Sequence, residues 1–171
     1  TDANPQKWLP VDETTGGRVT IDLAHHEIHV GKHFTFSRTK TMDTITANTV
    51  VITTPASSVG FIHFIADVES TNAGNWVFSA PEWSAGSALT SYNNDRSSAT
   101  TSDTAIKGGV VWTSAGTIFE THYIGSNARA GSGVNRMENE YILAASTSYG
   151  VRFANSAATC YSTVNLYFYL N

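Results

Sequence analysis

Apolar and polar residues alternate along most of this chain with a period of two, the spacing that turns one face of a β-strand to a core and the other to water. The alternation predicts strands over Arg18 to Leu23, Ile28 to Ser37, Thr49 to Thr54, Phe61 to Val68 and Trp76 to Ser79. It predicts five more over Val110 to Trp112, Thr117 to Ile124, Glu140 to Leu143, Tyr149 to Asn155 and Cys160 to Leu170. In the strongest, Ile62, Phe64, Ala66 and Val68 share a face. In the last, Val164, Leu166, Phe168 and Leu170 share one face while Tyr161, Tyr167 and Tyr169 take the other. Gly31 marks a bend or bulge in the second strand, and Pro55, without an N–H for a ladder, ends the third. No helix of useful length can be read.

Three stretches lack the pattern: Thr1 to Gly17, Ser84 to Thr104, and the Gly-rich Gly125 to Gly133. Short strands separated by Ser-, Gly- and Asn-rich turns predict an all-β protein, an antiparallel β-sandwich of jelly-roll-like form. The expected organisation is an extended N-terminal arm over 1–17 and one sandwich domain over 18–171.

Composition narrows the partners. The 171 residues suit one domain. Charged residues are 14% of the chain, against about 25% in ordinary soluble domains; Ser and Thr, about a quarter of all residues, take their place. Such a hydroxyl-rich surface suits association. The net charge of −4 and the lack of any Lys/Arg cluster argue against nucleic acid, whose binding draws on several cationic contacts. No apolar run nears the roughly 18 residues of a membrane span, and Thr1 to Pro5 predicts no leader. Cys160, the only cysteine, forms no internal disulfide and reads as a small packed residue.

His25, His26, His29 and His33 cluster, but strand geometry splits them between two faces, so no metal site is expected. No Gly-x-Ser-x-Gly elbow and no phosphate loop is present. Glu138 and Glu140, with Glu120, lack the aromatic groove of a glycosidase. No catalytic residue and no cofactor is expected. Trp76 and Trp112 lie in apolar strands and read as core. Trp83, after Pro81-Glu82, reads as an exposed loop residue, a partner contact or half of a sugar platform. Trp8, with Leu9 and Pro10, reads as an anchor in a segment too polar to fold alone.

Several strings, in order, resemble a family of tailed-bacteriophage virion proteins. His25-His26-Glu27-Ile28-His29-Val30-Gly31 is similar to its His-x-Ile-His-x-Gly opening, and Tyr92-Asn93-Asn94-Asp95-Arg96-Ser97-Ser98 to its Asn-Arg-x-Ser loop. Gly125 to Gly133, Glu140-Tyr141-Ile142-Leu143 and Tyr149-Gly150-Val151-Arg152-Phe153-Ala154-Asn155 resemble its second half. Ala144-Ala145 departs from the family's Lys-Pro, and Tyr141 from its usual Trp. The resemblance implies a capsid decoration (cement) protein on the outer surface of the virion, without catalysis, bound to the major capsid protein and assembled as a homotrimer. Trp8, Leu9, Pro10, Trp83, Arg96 and Arg129 are then candidate partner contacts, and Tyr161, Tyr167 and Tyr169 candidate subunit contacts. A head-fibre or tail component, or a carbohydrate- or receptor-binding module, is the alternative.

Overall fold

The computed structural model describes residues 27–43, 46–56, 62–125, 140–156 and 159–170. The arm expected over 1–17 and the strand expected over Arg18 to Leu23 lie outside them. Within them, eleven strands form two antiparallel sheets packed as a sandwich. They are β1 (His33–Met42), β2 (Ala47–Thr53), β3 (Ile62–Ser70), β4 (Gly74–Ser84), β5 (Ser87–Leu89) and β6 (Tyr92–Asn93), then β7 (Ala105–Gly108), β8 (Val111–Ile124), β9 (Tyr141–Leu143), β10 (Ser148–Asn155) and β11 (Cys160–Leu170). One sheet runs β6-β1-β11-β3-β9 and the other β5-β7-β2-β10-β4-β8. With β5, β6 and β7 set aside, the remaining eight, renumbered in chain order, run 1-8-3-6 in one sheet and 2-7-4-5 in the other.

The alternation read from the sequence is the alternation of burial. Ile62, Phe64, Ala66 and Val68 of β3, and Val164, Leu166 and Phe168 of β11, face the core, as do Phe34 and Phe36 of β1. The second sheet contributes Val50, Ile52, Trp76, Phe78, Val151 and Phe153. Phe34 stacks on Phe168 at 5.6 Å between ring centroids, and Phe64 meets Phe78 across the sheets at 5.3 Å. Full burial of each such side chain contributes roughly 1.5–3 kcal/mol. A buried polar tie helps to join the layers: Asn48 Nδ2 donates to the carbonyl and hydroxyl oxygens of Ser162, both at 3.1 Å. Cys160 is free and packed in the core.

Several boundaries differ from expectation, each for a local reason. Glu27 to His29 form a helical turn, not the start of a strand. Gly31, at φ +70°, closes that turn: its N–H reaches Ile28 O at 3.0 Å and the Lys32 N–H reaches Glu27 O at 2.8 Å, the pairing of a Schellman cap. β1 therefore begins at His33. β4 continues through Pro81, which has no partner in the ladder because the register slips there, so Trp83 sits on a strand and not in a loop. The two expected strands from Val110 to Ile124 are one, β8. The stretch Ser84 to Thr104, expected to be strandless, carries β5 and β6, and β7 follows it.

The long β4–β8 pair is bent. Its register shifts between Phe78 and Ser79, between Ala80 and Glu82, and between Glu82 and Trp83. Gly116, at φ +59°, lies so close to β4 that a Cβ there would sit 1.9 Å from Ala80 O. Such bulges bend a ribbon and add twist. The bent end brings Trp112 and Pro81 over Gly150, whose neighbours Tyr149 and Val151 point into the core. Trp112 thus covers the outer face of its sheet and is no core residue.

Candidate functional site

Three surface regions gather side chains whose arrangement goes beyond packing. The first is β8. Among the described residues it pairs only with β4 and forms the edge of its sheet. Val111, Ile118, Phe119 and Tyr123 are exposed along it, Ile118 by 53% and Phe119 by 46%. Across the open flank of the sandwich stands β9, the edge of the other sheet, where Ile142 is 63% exposed. The slip at Phe78 sets Glu120 opposite Phe78 and Ile118 opposite Ser79, leaving Phe119 as the extra residue. Phe119 leans on Phe78 and Tyr149 at 5.4 and 5.9 Å.

A polar lock closes this flank. The Tyr141 hydroxyl on β9 donates to Glu120 Oε2 on β8 at 2.6 Å. Glu120 Oε1 is in hydrogen-bond contact with His122 Nε2, and the His122 ring stacks on Trp76 at 4.8 Å. Burial, then the bond to the Glu120 carboxylate and its charge, push the Tyr141 phenol well above its ordinary range. Ionised, it would set two negative charges side by side.

The second region crosses the outer face of the five-stranded sheet. His33, Tyr169 and His63 lie in one register across β1, β11 and β3. Their rings stack as a ladder, His63 on Tyr169 at 4.5 Å and Tyr169 on His33 at 5.9 Å. Glu140 Oε1 accepts from the Tyr169 hydroxyl at 2.5 Å and lies 2.6 Å from His63 Nδ1. At the far end Asn94 Nδ2 donates to His33 Nδ1 at 2.7 Å, and Thr35 donates to Asn94 Oδ1. Tyr169 is 5% exposed and engaged within its own chain, Tyr167 is half-buried, and Tyr161 is 58% exposed. Burial, with Asp67 and Glu69 nearby, pushes the Tyr167 phenol up.

The third region is the outer face of the other sheet. Trp83 and Trp112 are cross-strand partners. Lys107 lies over the Trp83 ring at 5.0 Å and Arg152 over Trp112 at 5.9 Å. Each such cation–π pair adds about 0.5–1 kcal/mol at an exposed site. Both indoles are half-buried, so the second ring sought as a companion to Trp83 is Trp112.

Among the other predicted site residues, Arg96 is exposed and lies over the Tyr92 ring at 5.5 Å. Trp8, Leu9, Pro10 and Arg129 lie outside the described residues, as do His25, His26 and Glu138. His29 is exposed on the helical turn and His33 is buried at the start of β1. Among the described residues no group of three His, Cys, Asp or Glu side chains converges as a metal would require. Glu120 and Glu140 do not share a cleft: one bonds Tyr141, which packs on the core, and the other bonds His63 and Tyr169 on the outer face. Sequence reasoning missed the exposure of Ile118 and Phe119 on β8 and of Ile142 on β9, and Tyr141 with Glu120 as a pair. The adjacent apolar residues Ile118-Phe119, which break the alternation, were the available signal.

Compared with family models, characterised proteins and solved structures, the chain matches none.

Proposed function

We propose that this protein is a non-enzymatic decoration protein of a tailed-bacteriophage capsid, assembled as a homotrimer on the outer head surface and bound to the major capsid protein. The observation that carries the reading is β8, a long edge strand whose exposed side chains are largely apolar or uncharged. Such an edge is a liability for a protein that works alone and an asset for one that is permanently associated. The strand order 1-8-3-6 and 2-7-4-5 supports a jelly roll, two Greek keys shared between two sheets.

Two dissimilar surfaces favour a ring over a two-fold dimer. The β8 edge offers Ile118 and Phe119, while the outer face of β11 offers Tyr161, with Tyr167 half-buried beside it. Packing one copy's edge on the next copy's face is a heterologous contact, which closes into a ring when the rotation is right. Three copies match a capsid threefold. Aromatic residues suit the centre of such an interface. The ordered resemblance over roughly residues 20 to 170 supports the virion setting.

Two measurements test this. Sedimentation velocity at micromolar concentration is expected to show a trimer, and the double substitution Ile118→Lys with Phe119→Lys is expected to give folded monomer. Pelleting with phage heads is expected to show saturable binding of the wild-type chain. A wild-type monomer refutes the ring, and failure to bind heads at saturating concentration refutes the decoration role.

A further inference from the structure

We infer that the groove beside β5 and β6 binds a neutral saccharide ring. Its volume is about 400 Å³, within the roughly 300–1,000 Å³ of pockets that hold small molecules. Phe34 and Leu89 give it an apolar floor, while hydroxyl, amide, carboxylate and guanidinium groups from the chain between Thr90 and Thr104 line the rest. This mixture of one apolar patch and many convergent polar groups suits a ligand that is itself a ring with hydroxyls around it.

The polar groups are held ready. Ser98 Oγ accepts the Thr100 N–H at 3.2 Å and Ser102 Oγ accepts the Thr104 N–H at 3.0 Å, so each hydroxyl proton is left to donate. The Asn93 amide donates to Gly31 O at 2.8 Å and Thr100 O at 3.1 Å, which pins the loop to the helical turn. Asp95 receives the Ser97 N–H and hydroxyl on Oδ1, which fixes its carboxylate beside the groove. A preorganised groove of this kind lowers the ordering cost of binding.

One group is left unmatched. Thr104 lines the groove, is 6% exposed, and its buried Oγ1 has no hydrogen-bond partner. A buried hydroxyl without a partner is costly, and this one is closed off within the wall of the groove. At the mouth, Arg96 lies over the exposed Tyr92 ring. Charge decides the class of ligand. Asp95 beside Arg96 leaves the lining without net charge, so a phosphate or acidic sugar meets a carboxylate, whereas sugar hydroxyls both donate to Asp95 and accept from Arg96 and the serines.

Saturation-transfer NMR on the purified chain, with glucose, galactose, mannose and N-acetylglucosamine as probes and N-acetylneuraminic acid and inorganic phosphate beside them, tests the assignment independently of assembly. Transfer to at least one neutral sugar is expected, with saturation in the millimolar range. Arg96→Ala is expected to weaken it about tenfold. Thr104→Val, which removes the closed-off hydroxyl and keeps the shape, is expected to leave binding intact and thermal stability unchanged or raised. Absence of transfer to every neutral sugar, transfer unaltered by Arg96→Ala, or a preference for the acidic sugar or phosphate would each overturn the proposal.

Discussion

Replacing Tyr141 by Phe isolates the bond that closes the open flank of the sandwich. The phenol on β9 reaches Glu120 Oε2 on β8 at 2.6 Å, and these strands are the edges of different sheets. The substitution keeps the ring against Phe78, 4.7 Å away, and deletes one oxygen. A hydrogen bond to a charged group is worth about 1.5–3 kcal/mol. The Glu120 side chain keeps 15% of its exposure and Tyr141 is only half-buried, so water recovers part of that, and the net loss is expected near about 1 kcal/mol. With an m-value of about 2 kcal/mol/M, the urea midpoint falls by about 0.5 M.

The pH dependence gives the same reasoning a second, sharper test. Tyr141 is pushed above its ordinary value of 10.0 by burial and by Glu120, so the fold favours the neutral phenol. The stability this confers is fully present below about pH 10, the unfolded value, and is lost as pH rises through the higher folded value. Tyr167, raised as well, is present in both proteins and cancels. The gap in urea midpoint between wild type and Tyr141→Phe should be flat through neutral pH and shrink above about pH 10. Equal midpoints at neutral pH, or a gap unchanged at high pH, would refute the lock.

Two further substitutions test the packing. Gly150→Ala places a Cβ 2.7 Å from Trp112 Cζ2 and 2.8 Å from Pro81 Cγ. It is expected to cost about 1–3 kcal/mol and to shift tryptophan emission to the red as Trp112 lifts; an unchanged spectrum would argue against that contact. Phe168→Ala, at 0% exposure in the core, is expected to cost about 3–5 kcal/mol, read by calorimetry.

The fold was legible wherever one face of a strand is buried and the other is wet. β3 and β11 were read with the correct residues inward because their neighbours on both sides keep the pleat regular over nine residues of pairing. Legibility failed where tertiary contact overrides local pattern. Ile28 and Val30 mimic alternation, yet a left-handed Gly31 ends a helical turn there. β7 is four residues long and half of it is Lys-Gly, too little apolar pattern to register, and it exists because β2 and β5 pair with it. Pro81 argued for a loop at Trp83, but bulges let β4 pass the proline without a ladder bond. The flank was illegible for a further reason. Glu120 and Tyr141 meet only because β8 and β9 end different sheets, which is a consequence of strand order, and strand order leaves no trace in the period of either segment.

The edges of the two sheets are managed unequally, and that inequality bears on assembly. Among the described residues three of the four edges, β5, β6 and β9, have at most three residues each, too short to recruit another strand. β8 has fourteen. Proteins blunt a long edge with lysine, proline or inward charge, but from Val111 to Phe119 this strand carries no charged residue at all. Its carboxylate and imidazole, on Glu120 and His122, turn inward to Tyr141 and Trp76 and lock the flank instead of guarding the edge. Bulges at Phe78 and around Pro81 bend the strand, which discourages a flat intruding partner while leaving Ile118 and Phe119 presented to a curved one. A specific, shape-matched neighbour satisfies that geometry better than solvent or a random strand does, which is why β8 is the surface on which we place the subunit contact.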